Sequence, residues 1–217
     1  PAGGSTDVMG RVVSAKLSER LGQQVVVDNR PGGGTVIGTQ IVATSKPDGY
    51  TLGFASTSTH AVAPAVYAKL GYDPIKDFLP VSLMAKSMNI LLVHPSVPVQ
   101  SAQQLIALAK AQPGKLNYAS AGNGTTTHLG ADWLFRALAK VDITHVPFQP
   151  AAATQAVVSG QVPIASTSMP PAVPFVKSGK VRPIAVMSSQ SRRPPPGVMK
   201  EPNNLSLRMC QPPMTIK

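Results

Sequence analysis

Residues 116–138 read LNYASAGNGTTTHLGADWLFRAL, and the order of residue types in this stretch decides the fold. A short segment, Leu116 to Ser120, reads as a strand. Ala121 to His128, with two glycines and three threonines, reads as a turn. Leu129, Trp133, Leu134, Ala137 and Leu138 then recur at helical spacing and mark the buried side of a helix. The same alternation continues downstream. DITHVPF (142–148) is a strand, a helix follows near 151–159, QVPIAST (161–167) is a strand, a helix follows near 170–178, and VRPIAVMS (181–188) is a strand. Such alternation predicts parallel strands joined by right-handed crossovers, with helices on both faces of the sheet.

Upstream of this stretch, Ser101 with Gln104 forms a capping box, and Leu105, Ile106, Leu108 and Ala109 give one helical face that Pro113-Gly114 stops. A further series precedes it. Val8, Met9, Val12, Val13, Leu17 and Leu21 predict a helix that starts in the turn PAGGSTD (1–7) and stops at Gly22. QVVVDN (24–29), TLGFAST (51–57), VSLMAK and MNILLVH read as strands, with helices over 35–44 and 60–70. Two series of elements predict two α/β lobes, 1–94 and 95–189, divided near the prolines at 95–98. The segment 190–217 differs: it holds five basic residues, one acidic residue and six prolines.

Both lobes contain a glycine-rich turn leading into a helix whose first turn is rich in hydroxyls: PAGGSTD at 1–7 and SAGNGTTTH at 120–128. A helix N-terminus presents unpaired N–H groups and about half a positive charge, and glycines let an anion approach the backbone. If the two turns face each other across a cleft, they grip a small carboxylate or phosphate from both ends. The competing reading is that Ser5, Thr6, Asp7 and the threonines at 125–127 only cap helices. For His128, donation to an anion and a packing or capping role both stand.

Other chemistries fit less well. Gly33 and Gly38 have the outer spacing of a P-loop, but Thr39 stands where its lysine belongs. Gly122 and Gly124 begin a dinucleotide-binding pattern that Thr127 breaks. His60, His94, His128 and His145 show no metal-binding spacing, and the single cysteine, Cys210, supports neither a disulfide framework nor a cysteine metal site, so neither metal nor cofactor is expected. Ser120 lacks the glycine flanks of a nucleophile elbow. The formal charge of +11 invites a nucleic-acid reading, but the charges are scattered outside the tail and no basic run interleaves with aromatics. No nucleic-acid partner is expected. No apolar run reaches the roughly 18 residues of a membrane-spanning helix. The chain opens at Pro1 directly in a turn, so the natural N-terminus is expected to lie upstream.

PAGGSTDVMGR, with VVVDNRPGGG, KPDGYTL, YDPIKDF, LLVHPSVP and PGKLNYASAGNGTTTHL, resembles the solute-binding receptors of tripartite tricarboxylate transporters, often called Bug or TctC-like receptors. The likeness runs through residues 1 to 189. It implies a two-lobed, periplasmic Venus-flytrap α/β receptor that closes on a small carboxylate-containing solute, such as a dicarboxylate, citrate-like acid, amino acid or aromatic acid. It further implies delivery to membrane permease subunits, a monomeric receptor and no catalysis. Carried over by position, the ligand-binding residues are Gly3, Gly4, Ser5, Thr6 and Asp7 from the first turn, with Asp7 assigned to turn geometry because a bare carboxylate repels an anion. From the second turn they are Ser120, Ala121, Gly122, Gly124, Thr125, Thr126 and His128. Thr57, Ser58 and Thr167 are further wall candidates.

The sequence also departs from the family pattern. A strand expected before PAGGSTD is absent, and the common V-P-Y-K-G segment is Val146-Pro147-Phe148-Gln149-Pro150 here, without its hydroxyl, cation and glycine. Thr167 and Pro163 stand where acids are common. After Ser189 the pattern gives way to the basic tail, so the architecture is expected to be cut short at both ends, with a frameshift over 190–217 or a truncated gene as the two readings of the tail. An α/β enzyme using the same anion site for an acyl or phosphoryl substrate is the competing function.

Overall fold

A computed structural model of the chain describes residues 1–187. The tail expected to be atypical, 190–217, lies outside them. The chain forms α1 (Ser5–Leu21), α2 (Val36–Ala43), α3 (Ala63–Val66), β1 (Asn89–Val93), α4 (Ala102–Ala111), β2 (Asn117–Ser120) and α5 (Thr126–Asp132), which runs on as a π-helical turn over Trp133–Leu138. Then come β3 (Thr144–Pro147), α6 (Pro150–Val158), β4 (Ile164–Ser168), α7 (Met169–Lys177) and β5 (Arg182–Met187). No helix among the described residues is long and apolar enough to cross a membrane.

The five strands form one sheet in the order β3-β2-β4-β1-β5. β2 pairs parallel with β3 and β4, as alternation predicts, whereas β1 pairs antiparallel with both β4 and β5. β4 and β5 therefore run in the same direction with β1 inserted between them. This corrects the all-parallel expectation. β1 does not reach its place by a crossover from within this sheet; the chain enters from residues 1–88, so nothing constrains it to the common direction. A division of the chain at residue 94 would cut this sheet, because residues 89–93 are hydrogen-bonded to strands built from later elements.

Two apolar clusters cover the two sheet faces. Leu91 and Val93 point into the cluster with Leu105, Tyr118, Leu134, Phe135 and Ile143; Ile90 and Leu92 point into the other, with Ala119, Ala153, Val157 and Ala172. Successive side chains alternate faces, so a strand buried on both sides reads as the unbroken apolar run NILLV. α4 is fixed at its start by Ser101, whose Oγ accepts from Gln104 N–H (3.2 Å), while Gln104 Oε1 accepts from Gln100 N–H rather than from Ser101. The capping box thus closes one residue earlier than its usual form.

In residues 1–88, α1 and α2 form where periodicity places them. The expected strands at 24–29, 51–57 and VSLMAK join no ladder among the described residues. Val26, Leu52 and Val81 are consequently 76%, 62% and 86% exposed. β-branched density expresses a preference for a pleated, half-buried surface, and a strand exists only where a neighbour supplies the ladder.

Candidate functional site

The second turn is built almost entirely by its own side chains. Ser120, fully buried at the end of β2, accepts from Gly122 N–H at 3.2 Å. Thr127 Oγ1 accepts from Ala121 N–H (3.1 Å), and Thr125, the N-cap of α5, donates to Gly122 C=O (2.7 Å) and accepts from His128 N–H (3.3 Å). His128 Nδ1 accepts from Gly124 N–H at 3.2 Å, which places the ring proton on Nε2 when the ring is neutral. Thr125, Thr127 and His128 therefore hold the turn and cap its helix. The amide N–H groups of Ala121, Gly122 and Gly124 are engaged within the turn.

His145, on β3, underpins this arrangement. Its Nε2 lies 2.7 Å from Ser120 Oγ, its ring stacks on His128 with centroids 4.0 Å apart and 22° between planes, and Tyr118 lies beside it. Burial, reinforced by the neighbouring His128, pushes its pKa down to about 4. Burial also lowers His128. At neutral pH the pair stacks uncharged. Ser120 and His145 have the geometry of a nucleophile and base, but Ser120 has no solvent exposure, and among the described residues no carboxylate bonds His145. Asp132 is instead paired with Arg136 at 3.0 Å.

The first turn is set differently. Asp7 is buried, and its carboxylate accepts from Gly3 N–H (2.9 Å), Asn29 Nδ2 (2.7 Å) and Arg11 Nε (3.0 Å). Burial works to raise its pKa, but the bonds from Asn29, Gly3 and Arg11 together hold it below the usual value. The carboxylate is thus spent on the turn. Gly4 is the N-cap of α1 and supplies no side-chain cap, so the first amides of that helix have no side-chain acceptor at that position. Gly3, at φ +71°, lies so close to α6 that an added Cβ would sit 2.7 Å from Ala151 Cβ.

Between these turns lies a small open cleft of about 80 Å³. Pro1 and Gly32 to Thr35 line one side, and Ala121, Gly122, Phe148 and Gln149 the other. Of the residues picked from sequence, only Ala121 and Gly122 line it directly. Gly3, Gly4, Ser5 and Thr6 follow Pro1 along the chain. Thr57 is exposed, and Ser58 Oγ accepts from Thr126 N–H at 3.2 Å, tying residues 1–88 to the second turn. Thr167 is buried in β4 with its hydroxyl 3.2 Å from that of Thr154, and it does not line the cleft.

Sequence reading missed the Gly32–Thr35 wall, where Gly33 drew notice only for an incomplete P-loop spacing. The signal was the run of three glycines. All three have positive φ, and at Gly34 (φ +60°) a Cβ would lie 2.7 Å from Tyr67 Oη and 2.9 Å from the carbonyl oxygen of Asn123. Thr35 shares the left-handed backbone at φ +90°, and its buried hydroxyl has no partner among the described residues.

A mixed α/β sheet with a glycine-lined cleft at the ends of its strands is the architecture of periplasmic binding proteins, and solved structures of that class match it. A periplasmic transporter protein is 37% identical with a TM-score of 0.83, covering 87% of this chain and 63% of its own. A Rhodopseudomonas palustris protein with adipate is 36% identical (TM-score 0.81, 87% and 63% covered), and MatC from the same species, with bound malate, is 34% identical (0.79, 88% and 65%). The model of the tripartite tricarboxylate transporter family receptor matches residues 9–201, and the chain belongs to that family. A protein from the tcbD-tcbE intergenic region of Pseudomonas sp. strain P51 is 38% identical over 87% of this chain, and BugT of Bordetella pertussis is 37% identical over the same share. The chain spans 56% and 58% of the length of those two relatives.

Proposed function

We propose that this chain is the ligand-capturing part of an extracytoplasmic receptor that takes a small carboxylate-containing solute between two lobes and presents it to the permease subunits of a tripartite tricarboxylate transporter. The receptor acts as a monomer in the periplasm and does no chemistry on its ligand. Family membership supports this, and two similar structures hold the dicarboxylates adipate and malate. The observation that carries it is the cleft, lined by glycine-rich segments from the early and late parts of the chain, Gly32–Thr35 and Ala121–Gly122, together with Pro1, Phe148 and Gln149. Glycines at close approach let the main chain of the Gly32–Gly34 wall meet ligand oxygens directly, while Ala121 and Gly122, their amides engaged within their own turn, shape the opposite wall; closure around the ligand strengthens the new bonds by excluding water. The lobes divide before β1, with residues 1–88 on one side.

Thermal-shift and calorimetric titration of the chain with malate, adipate, citrate and amino acids tests the reading: saturable stabilisation by at least one acid is expected, and none by any of them refutes it. One observation favours an enzyme, the 2.7 Å Ser120–His145 contact. Ester or phosphoester turnover abolished by Ser120→Ala would establish that reading instead.

A further inference from the structure

We infer that the end of the sheet opposite the cleft is a docking surface for an anionic lipid bilayer. The inference goes beyond the receptor reading, from which it takes only the nearness of a membrane. Charge is divided unevenly along the chain: residues 1–88 hold eight Lys and Arg against six Asp and Glu, whereas 89–187 hold seven against two. Sequence spacing scatters those seven, and the topology gathers six of them at one end. β2, β3, β4 and β5 run in one direction and β1 against them. The starts of four strands and the finish of β1 therefore meet in one row, at Thr144, Asn117, Ile164, Val93 and Arg182. The cleft lies at the other end, beyond Ser120 and Pro147.

Lys115 stands two residues before β2, Lys140 four before β3 and Lys180 two before β5, and all three are exposed. Lys110 and Lys177, in the last turns of α4 and α7, bring two more cations, which also offset the negative ends of their helices. Arg182 donates from Nη1 to the carbonyls of Val97 (3.2 Å) and Val99 (2.8 Å), which pins the loop after β1 to the same end. Asp142 is the one acid in these loops, and among the described residues no carboxylate lies within 4.0 Å of the five lysines.

Spacing decides the partner. β3 and β5 stand four strand steps apart, about 19 Å, more than twice the screening length of about 8 Å at physiological salt. A small anion therefore meets only one or two of these charges. The loops at this end carry no Phe, Tyr or Trp, so they offer nucleic-acid bases no stacking surface. A plane of lipid phosphates engages all the lysines at once, and each one held near such a surface strengthens binding about fivefold. The attachment is weak, salt-sensitive and reversible, and it leaves the cleft end turned towards solution.

Co-sedimentation of the full chain with phosphatidylglycerol vesicles, and with phosphatidylcholine vesicles as the uncharged comparison, tests the inference. Binding to the first and not the second is expected, weakening at least about tenfold between about 50 and 300 mM salt. Lys115→Gln, Lys140→Gln and Lys180→Gln combined should weaken it at least about tenfold. Lys46→Gln, Lys69→Gln and Lys86→Gln combined remove the same charge from exposed positions in 1–88 and should change it less than about threefold. Both triple variants keep 190–217 and share one net charge, so the comparison isolates position. Equal loss in the two, loss in neither, or equal binding to the uncharged vesicles overturns the inference. A wild-type chain that ignores phosphatidylglycerol but is retained by polyglutamate overturns it too, and makes an acidic protein the partner. Titration with carboxylates in solution reads the receptor function separately, so either reading can fail alone.

Discussion

Lowering the pH from 7 to 5 should destabilise this protein through His145. In the folded chain burial and the stacked His128 hold its pKa at about 4, while an unfolded histidine titrates near 6.5. The unfolded state therefore takes up a proton that the folded state refuses, and stability falls as pH drops through 6.5 towards 4. Between pH 7 and 5 the full difference is about 2 kcal/mol, and solvent screening around a half-buried ring trims it towards about 1 kcal/mol. Either value is a sizeable share of the 5–15 kcal/mol of a typical domain. Protonation also sets a positive ring 4.0 Å from His128 and removes the lone pair with which Nε2 can accept from Ser120. Urea denaturation at half-unit pH intervals, in the wild-type chain and in His145→Gln, measures the effect as a difference in slope. The variant should be less stable at pH 7 but lose less on acidification. Equal slopes for the two chains, or an NMR titration that places His145 at 6 or above, would refute the reasoning.

Three further outcomes are expected. Asp7→Asn should cost about 1–3 kcal/mol by thermal melting, since three donors lose their anionic acceptor; because the folded pKa of Asp7 is lowered, its contribution is full above the unfolded value and is lost only as pH falls below it, outside the His145 window. Gly34→Ala should destabilise by about 1 kcal/mol or more and disturb the junction at Tyr67 and Asn123, read by circular dichroism melts and by Tyr67 NMR shifts. Ser101→Ala should lower stability by about 1 kcal/mol through the lost cap on α4, with the melting temperature as the measure.

Where local chemistry determines structure, the sequence was readable. Helix α1 lies where periodicity placed it, α4 where periodicity and its Ser101 cap placed it, and α6 and α7 where the strand–helix alternation placed them, and β2 to β5 share one direction because short crossover helices impose it. The direction of β1 was not readable, since NILLV announces two-sided burial but carries no mark of which neighbours bury it. The strands assigned at 24–29 and 51–57 failed for a related reason: pairing is a property of the neighbour as much as of the segment. At the site, the glycine turns stood out by composition, and charge repulsion alone turned Asp7 away from the ligand and towards its own turn. The His128–His145 stack and the wall at Gly32–Thr35 join residues far apart in sequence, and isolated histidines or glycines do not reveal their partners.

The insertion of β1 has a mechanical consequence. Residues 1–88 are joined to the rest of the chain through the strand that lies between β4 and β5, with Leu91, Leu92 and Val93 wholly inaccessible to solvent. The early segments therefore pass directly into a strand paired on both edges rather than into a surface loop. Load arriving along the chain at Asn89 passes into both flanking strands at once, through the ladders that β1 makes with β4 and β5.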